Sequence, residues 1–255
     1  MRNSFFYILI FFVVSKNFAQ TLTPTYHWEF GVQLGTAYYI GELNQTHLLP
    51  VKPSGGLVLR YNIDSRLSFR TIANFAQITG SDDRLNGTFY ESRNLSFRNN
   101  IYELGGVVEF NFHDFTTYAL NVFDKKSSIF TPYVYMGLNY FFHKPKVSFN
   151  DGEYQNARDI QIESKRYRYN QLALPMGLGL KFRNNRVGFA LDWGIRGTLT
   201  DYLDDVGSFY TQNLPVNDLA KLNYQRGEIF NNDWYVVTGF SFYVNLTSRR
   251  LCPNW

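Results

Sequence analysis

The chain has 255 residues, a formal net charge of +4 and an aromatic fraction of 18%, with 24 Phe, 19 Tyr and 4 Trp. No run of about 18 or more apolar residues is present to cross a bilayer as a helix, so any membrane-spanning structure must be built from strands. The charge falls to +2 once Arg2 and Lys16 leave with the N-terminal segment, and the remaining basic residues are not gathered into an arm or helix face, which argues against nucleic acid as a partner.

Residues 1–19 read as a secretory signal peptide, with Arg2 as the charged start, an apolar stretch from Phe5 to Val14 and a cleavage point at Ala19-Gln20. The other reading, a buried N-terminal helix, lacks a helical partner face, and the segment is too short to span. The residue after the cut is Gln20 and not cysteine, so a lipid-modified N-terminus is not expected. Residues 20–246 then form one unit, and 247–255 a C-terminal tail.

Within that unit apolar residues recur at every second position, the period of a strand with two unlike faces. The first segment sets Trp28, Phe30, Val32, Leu34, Tyr38 and Ile40 against Glu29, Gly31, Gln33, Gly35 and Ala37. A second, short one sets Leu57, Leu59, Tyr61 and Ile63 against Gly56, Arg60, Asn62 and Asp64, and a tight turn at Asp64-Ser65 leads to a third with Leu67, Phe69, Ala73 and Phe75 on its apolar face. The fourth sets Tyr102, Leu104, Val108, Phe110 and Phe112 against Glu103, Gly105, Glu109 and Asn111. The fifth sets Val134, Met136, Leu138, Tyr140 and Phe142 against Gly137, Asn139 and His143, with Tyr133 and Tyr135 as bulky exceptions.

The clearest alternation comes next, as a hairpin turning at Asn184-Asn185. Leu172, Leu174, Met176, Leu178, Leu180 and Phe182 oppose Ala173, Gly177, Gly179, Lys181 and Arg183; Val187, Phe189, Leu191, Trp193 and Ile195 oppose Gly188, Ala190, Asp192, Gly194 and Arg196. The last strand carries Trp234, Val236, Phe240, Phe242, Val244 and Leu246 on its apolar face. The pattern predicts an all-β fold, an eight-stranded antiparallel transmembrane barrel whose apolar face meets lipid and whose tiny or charged face fills a narrow lumen. A soluble barrel of the same strand number would point its large apolar residues inward, and would leave the glycine face as an exposed surface.

Connections near 41–54, 81–97, 144–169 and 200–232 are long and polar, while those after strands two and six are tight. This predicts long extracellular loops and both termini on the periplasmic side of an outer membrane. Residues 113–128 are long for a periplasmic turn and are a place where a partner could dock. The inward charges Glu29, Glu103, Glu109 and Asp192 are matched by Arg60, Arg70, Lys181, Arg183 and Arg196, a candidate structural set of lumen ion pairs in preference to an ion relay.

Evidence for catalysis is thin. His143 and Ser148, with Glu163 or Asp151 as an acid, lack a recognisable spacing, and His27, His47 and His113 suggest nothing further; no enzyme, cofactor or metal site is expected. Asp201-Tyr202-Leu203-Asp204-Asp205 gathers carboxylates without the glycine-punctuated spacing of a calcium loop, so it reads as a solvated or Arg-paired turn. Asp82-Asp83 and Lys125-Lys126 read as solvated charges. Cys252, the single cysteine, is either inert or bonded to another chain.

Several motifs in order carry a family likeness: Gly31-Val32-Gln33-Leu34-Gly35 leading to Tyr39-Ile40-Gly41-Glu42-Leu43-Asn44, Phe130-Thr131-Pro132-Tyr133 with Gly137, Leu174-Pro175-Met176-Gly177 with Gly179, Thr200 to Val206, Asn232-Asp233-Trp234-Tyr235, and Cys252-Pro253. Together they resemble the PorG-like outer-membrane barrels of Bacteroidota, with Glu42 where Asp is more usual. The resemblance implies a structural component of the type IX protein secretion system, which in gliding species delivers adhesins. It implies association with the outer-membrane lipids and with a periplasmic ring lipoprotein and its partner subunit, and it suggests Cys252 as a candidate intermolecular disulfide to that ring. Two other readings remain open: a generic surface barrel with ligand-binding or adhesive loops, and a lipid-modifying enzyme.

Overall fold

The computed structural model describes residues 27–41, 43–44, 48–82, 94–115, 129–149, 152–160, 167–184, 187–206 and 232–246. The signal-peptide segment, His47, Asp83, Lys125-Lys126, Asp151, Glu163, Asn185 and the tail with Cys252 lie outside them.

Strands β1 (His27–Ile40), β2 (Lys52–Asn62), β3 (Leu67–Ser81), β4 (Leu95–Asn111), β5 (Phe130–Phe149), β7 (Asn170–Asn184), β8 (Val187–Thr198) and β9 (Trp234–Asn245) follow one another around a cylinder. All neighbours are antiparallel, and the pairing of β1 with β9 closes the sheet. The two-residue strand β6 (Gln155–Asn156) hangs from the far end of β5 and leads into a single helical turn, α1 (Ala157–Ile160). An eight-stranded antiparallel barrel results, with every barrel strand paired on both sides and no open edge in the cylinder.

Across the middle of the barrel the alternation behaves as lipid demands. Leu34, Met136 and Leu104 are 70%, 68% and 59% exposed on the outer surface, whereas Glu29, Arg60, Glu109 and Lys181 on the inner face are buried. Aromatic pairs mark both margins of this apolar belt. Trp28 packs on Tyr61 and Phe130 on Phe182 at the short-turn end, and Phe75 packs on Tyr102 and Phe142 on Tyr169 at the other. The β2–β3 turn is held by the Asp64 carboxylate, which accepts from the backbone N–H groups of Arg66 and Leu67 at 2.6 and 2.7 Å. Phe115 N donates to the Ser65 carbonyl and Arg66 pairs with Asp114 at 2.7 Å, so the start of the 113–128 connection folds against that turn.

Above the belt the strands continue and their polarity reverses. In β4 the inward residues become Ile101, Phe97 and Leu95 while Arg98 and Asn100 turn outward; in β5 Phe141 and Val147 point in while Lys144 and Lys146 point out. Ala37, Ala76, Ile78, Ala173 and Val237 join the same buried cluster. This is the pattern of a water-surrounded barrel, and it begins where the outer surface stops meeting hydrocarbon. The predicted connections near 81–97 and 144–169 are therefore too long: Ser81, 95–97 and 144–149 belong to strands, because alternation there runs with the opposite sign.

Candidate functional site

Inside the belt, the lumen is built around Glu109 of β4. Its carboxylate meets Arg60 Nε at 2.9 Å, Arg70 Nε at 2.7 Å and Lys181 Nζ at 2.5 Å. Arg60 reaches on to Glu29 at 2.7 Å and Arg70 to Asp192 at 2.9 Å, so charges from β1, β2, β3, β4, β7 and β8 form one connected set. Higher in the lumen Arg196 lies 3.6 Å from Glu103, which also accepts from the Tyr235 hydroxyl at 2.6 Å and from Asn74 and Asn139 at 3.0 and 3.2 Å. Arg183 sits half-buried at the short-turn end of β7, where its backbone N–H donates to the Ile129 carbonyl. His27 meets Asn62 at 2.9 Å and closes the lumen below Glu29.

Tyrosine rings occupy the space the glycines leave. A Cβ on Gly179 would stand 2.7 Å from the Tyr133 ring, one on Gly194 1.9 Å from the Tyr135 hydroxyl, and one on Gly188 2.2 Å from the Tyr243 ring. Those rings lie over cations: Arg70 over Tyr135 at 4.6 Å, Arg60 over Tyr243 at 4.7 Å and Lys181 over Tyr133 at 4.3 Å. The Tyr133 hydroxyl also donates to Asp192. Tyr133 and Tyr135, exceptions to the sequence alternation, thus fill the lumen from β5, opposite the glycines of β7 and β8.

The mouth above is closed by a segment that reads as an acidic loop. Residues 200–206 turn down into it, burying Leu203, Val206 and Asp204. The Tyr39 hydroxyl lies 2.7 Å from Asp204 Oδ2 and 2.5 Å from Asp233 Oδ1. The other oxygens of these carboxyls accept backbone N–H groups, Val206 to Asp204 at 2.9 Å and Leu203 to Asp233 at 2.8 Å. One phenol has one proton to give, so the second short contact requires a proton on a carboxyl. Burial first, and then the Asp204 charge, raise the Asp233 carboxyl well above the ordinary carboxylate range. Gly41 leaves the room for this: a Cβ there would stand 2.0 Å from the Tyr39 hydroxyl and 2.7 Å from Asp233.

Beside it Tyr167 stacks on Tyr202 at 4.8 Å and donates to Asp205 at 2.9 Å, and burial followed by the Asp205 charge pushes its hydroxyl upward. His143 is buried beneath Tyr167, with Nδ1 3.2 Å from the Asn99 amide. Ser148 is occupied by the Gly152 carbonyl at 2.6 Å.

The Asp201–Asp205 turn is thus buried rather than solvated at its core. Asp204 and Asp205 are bound by phenols, which no acid spacing signals; the nearest sequence signal is tyrosine at inward positions. Asp82, read as solvated, is buried and accepts the Leu95 N–H at 3.0 Å. Among the described residues no group of three or more His, Cys, Asp or Glu is arranged to hold a metal ion.

The residues joined at the mouth come from 39–41, 43–44, 200–206 and 232–235, far apart in sequence, and a model of one protein family spans them all. That family, described as a domain of unknown function (DUF6089), matches residues 2–253. The chain belongs to it. No curated protein matches the sequence. Solved structures with a similar fold include the Neisserial surface protein A (10% identity, 85% of this chain and 96% of that one, TM-score 0.42). A major outer membrane protein from Thermus thermophilus is similar at 13% identity over 86% of this chain and 99% of its own, with a TM-score of 0.43. Ail, the attachment invasion locus protein of Yersinia pestis, is similar at 12% identity over 86% and 99%, with a TM-score of 0.38.

Proposed function

We propose that the protein is a non-enzymatic barrel of an outer membrane that serves as an anchoring component of a type IX protein secretion machine, with both termini in the periplasm. The observation that carries the reading is the filled interior. Among the described residues, a lumen knitted by Glu109, Arg60, Arg70 and Lys181 lies under an apolar cap of Phe97, Ile101, Phe141 and Leu203, and an eight-stranded barrel filled in this way is not built to pass a folded cargo. A barrel of this kind acts through its rims. The ordered likeness of its motifs to the PorG-like barrels supports the secretion assignment, and the chain leaves the barrel at the same end as the short turns, where a tail carrying Cys252 would meet a periplasmic ring.

Capture of the full-length barrel from native membranes under non-reducing conditions tests this. The reading expects co-purification of a ring lipoprotein and its partner subunit, and a high-mass adduct lost in Cys252→Ala. A barrel that purifies alone, with secretion intact in a deletion strain, overturns the secretion assignment and leaves the surface-barrel reading.

A further inference from the structure

Just above the apolar belt, the outward faces of β4 and β5 carry an unusual arrangement. Arg98 and Lys146 stand directly opposite each other in register, and Asn100 stands opposite Lys144. All three cations are exposed. Like charges paired across a ladder destabilise it unless something negative lies between them. Two more cations approach from the neighbouring connection: Arg168, exposed just before β7, and Arg158 of α1, whose guanidinium lies 4.8 Å over the Tyr169 ring. Arg98 is steadied in the same way, 5.0 Å over the Tyr154 ring.

Among the described residues, no ion pair joins a carboxylate to any of these five. Among the described residues of the adjoining segment the acids are Glu153 and Asp159, both exposed, and Asp159 is bonded to the Asn156 amide at 2.9 Å. The depth is also specific. Tyr102 and Phe142 are paired one step below, in the aromatic margin of the belt, and with about 3.4 Å of rise per residue Lys144 and Lys146 stand within about 14 Å of it. Strand tilt shortens these heights to about 5 Å for Lys144 and about 10 Å for Lys146, which sets the strip across the headgroup layer and its outer edge.

We propose that this strip is a binding site for the phosphate groups of membrane lipids. The side chains splay outward over the lipid surface rather than into a pocket, so the ligand is a headgroup held in the leaflet beside the barrel. The inference rests on the barrel spanning a membrane and is independent of the secretion reading.

Binding of diphosphoryl lipid A to the full-length barrel in detergent, followed by native mass spectrometry, tests it, with the neutral digalactosyl diacylglycerol and free inorganic pyrophosphate as the other arms. Each surface cation contributes about fivefold, so the combined Arg98→Gln, Lys144→Gln and Lys146→Gln variant should bind the phosphorylated lipid about 100-fold more weakly. Lys144→Arg with Lys146→Arg should retain binding, and Lys144→Gln alone should cost about fivefold if the triple variant does not fold. Equal retention of the neutral glycolipid, or undiminished lipid A binding by a folded charge-depleted variant, would overturn the proposal. Pyrophosphate binding as tight as that of the lipid would also overturn it, by removing the leaflet from the interaction.

Discussion

Tyr39→Phe tests whether the mouth is held shut by the shared phenol. The ring should remain in place, edge-on to Phe97 at 4.9 Å, so no cavity opens and the change isolates one oxygen. That oxygen makes contacts of 2.7 and 2.5 Å to two buried carboxyls. A hydrogen bond to a charged group contributes about 1.5–3 kcal/mol and one to a protonated carboxyl about 0.5–1.5, so losing both costs about 2–4.5 kcal/mol. The loss is local, because the ladder below does not pass through Tyr39's hydroxyl. Hydrogen exchange of the detergent-solubilised barrel, corrected for intrinsic rates, should accelerate about 30-fold or more over 200–206 and 232–235 and stay unchanged in the belt.

Asp233→Asn supplies the complementary arm. Its amide can donate to Tyr39 while its carbonyl accepts from Leu203, preserving the whole set without a shared proton. The folded Asp233 carboxyl is raised, so its stabilisation is present below the unfolded value and is lost as pH rises through the folded one. The wild-type mouth should therefore loosen as pH rises from the ordinary carboxylate range through the raised folded value, and Asp233→Asn should abolish that slope. Unchanged protection at 200–206 in Tyr39→Phe, or a loss spread evenly over all strands, would refute the reasoning.

Two other outcomes are expected. Glu109→Gln removes the centre of three buried pairs and should lower stability by about 3–5 kcal/mol, read from the urea unfolding midpoint in lipid vesicles; a midpoint shift worth less than about 1 kcal/mol would count against Glu109 as the hub of the lumen. Gly194→Ala drives a methyl into the Tyr135 hydroxyl and should cost about 1–3 kcal/mol, most of it recovered when Tyr135→Leu is added; additive losses would count against this contact.

The belt was legible because one rule governs it: lipid outside, polar lumen inside. Leu172 to Phe182 and Phe189 to Ile195 obey that rule, and their faces in the barrel are those the alternation assigns. The rule changes sign at Ile101 and Phe141, where strand residues with apolar side chains pointing in and Arg98 or Lys144 pointing out resemble a polar loop. The mouth was hidden for a different reason. Asp204 and Asp233 are separated by a long stretch of chain, and only the barrel brings both to Tyr39. The lumen charges could be named from the faces of their strands, but the tyrosines that pack among them follow from the sizes of facing residues across strands, which one strand's pattern does not contain.

The reversal of polarity in β4 and β5 works as a depth gauge. Sinking the barrel by one pair of residues would draw Lys144 and Asn100 toward hydrocarbon; raising it would lift Phe142 and Tyr102 into water. A cation costs about 2–4 kcal/mol at the bilayer midplane and less near its margins, so several strands resisting together confine the vertical position. Both rims of the barrel are thereby held at a constant height relative to the lipid.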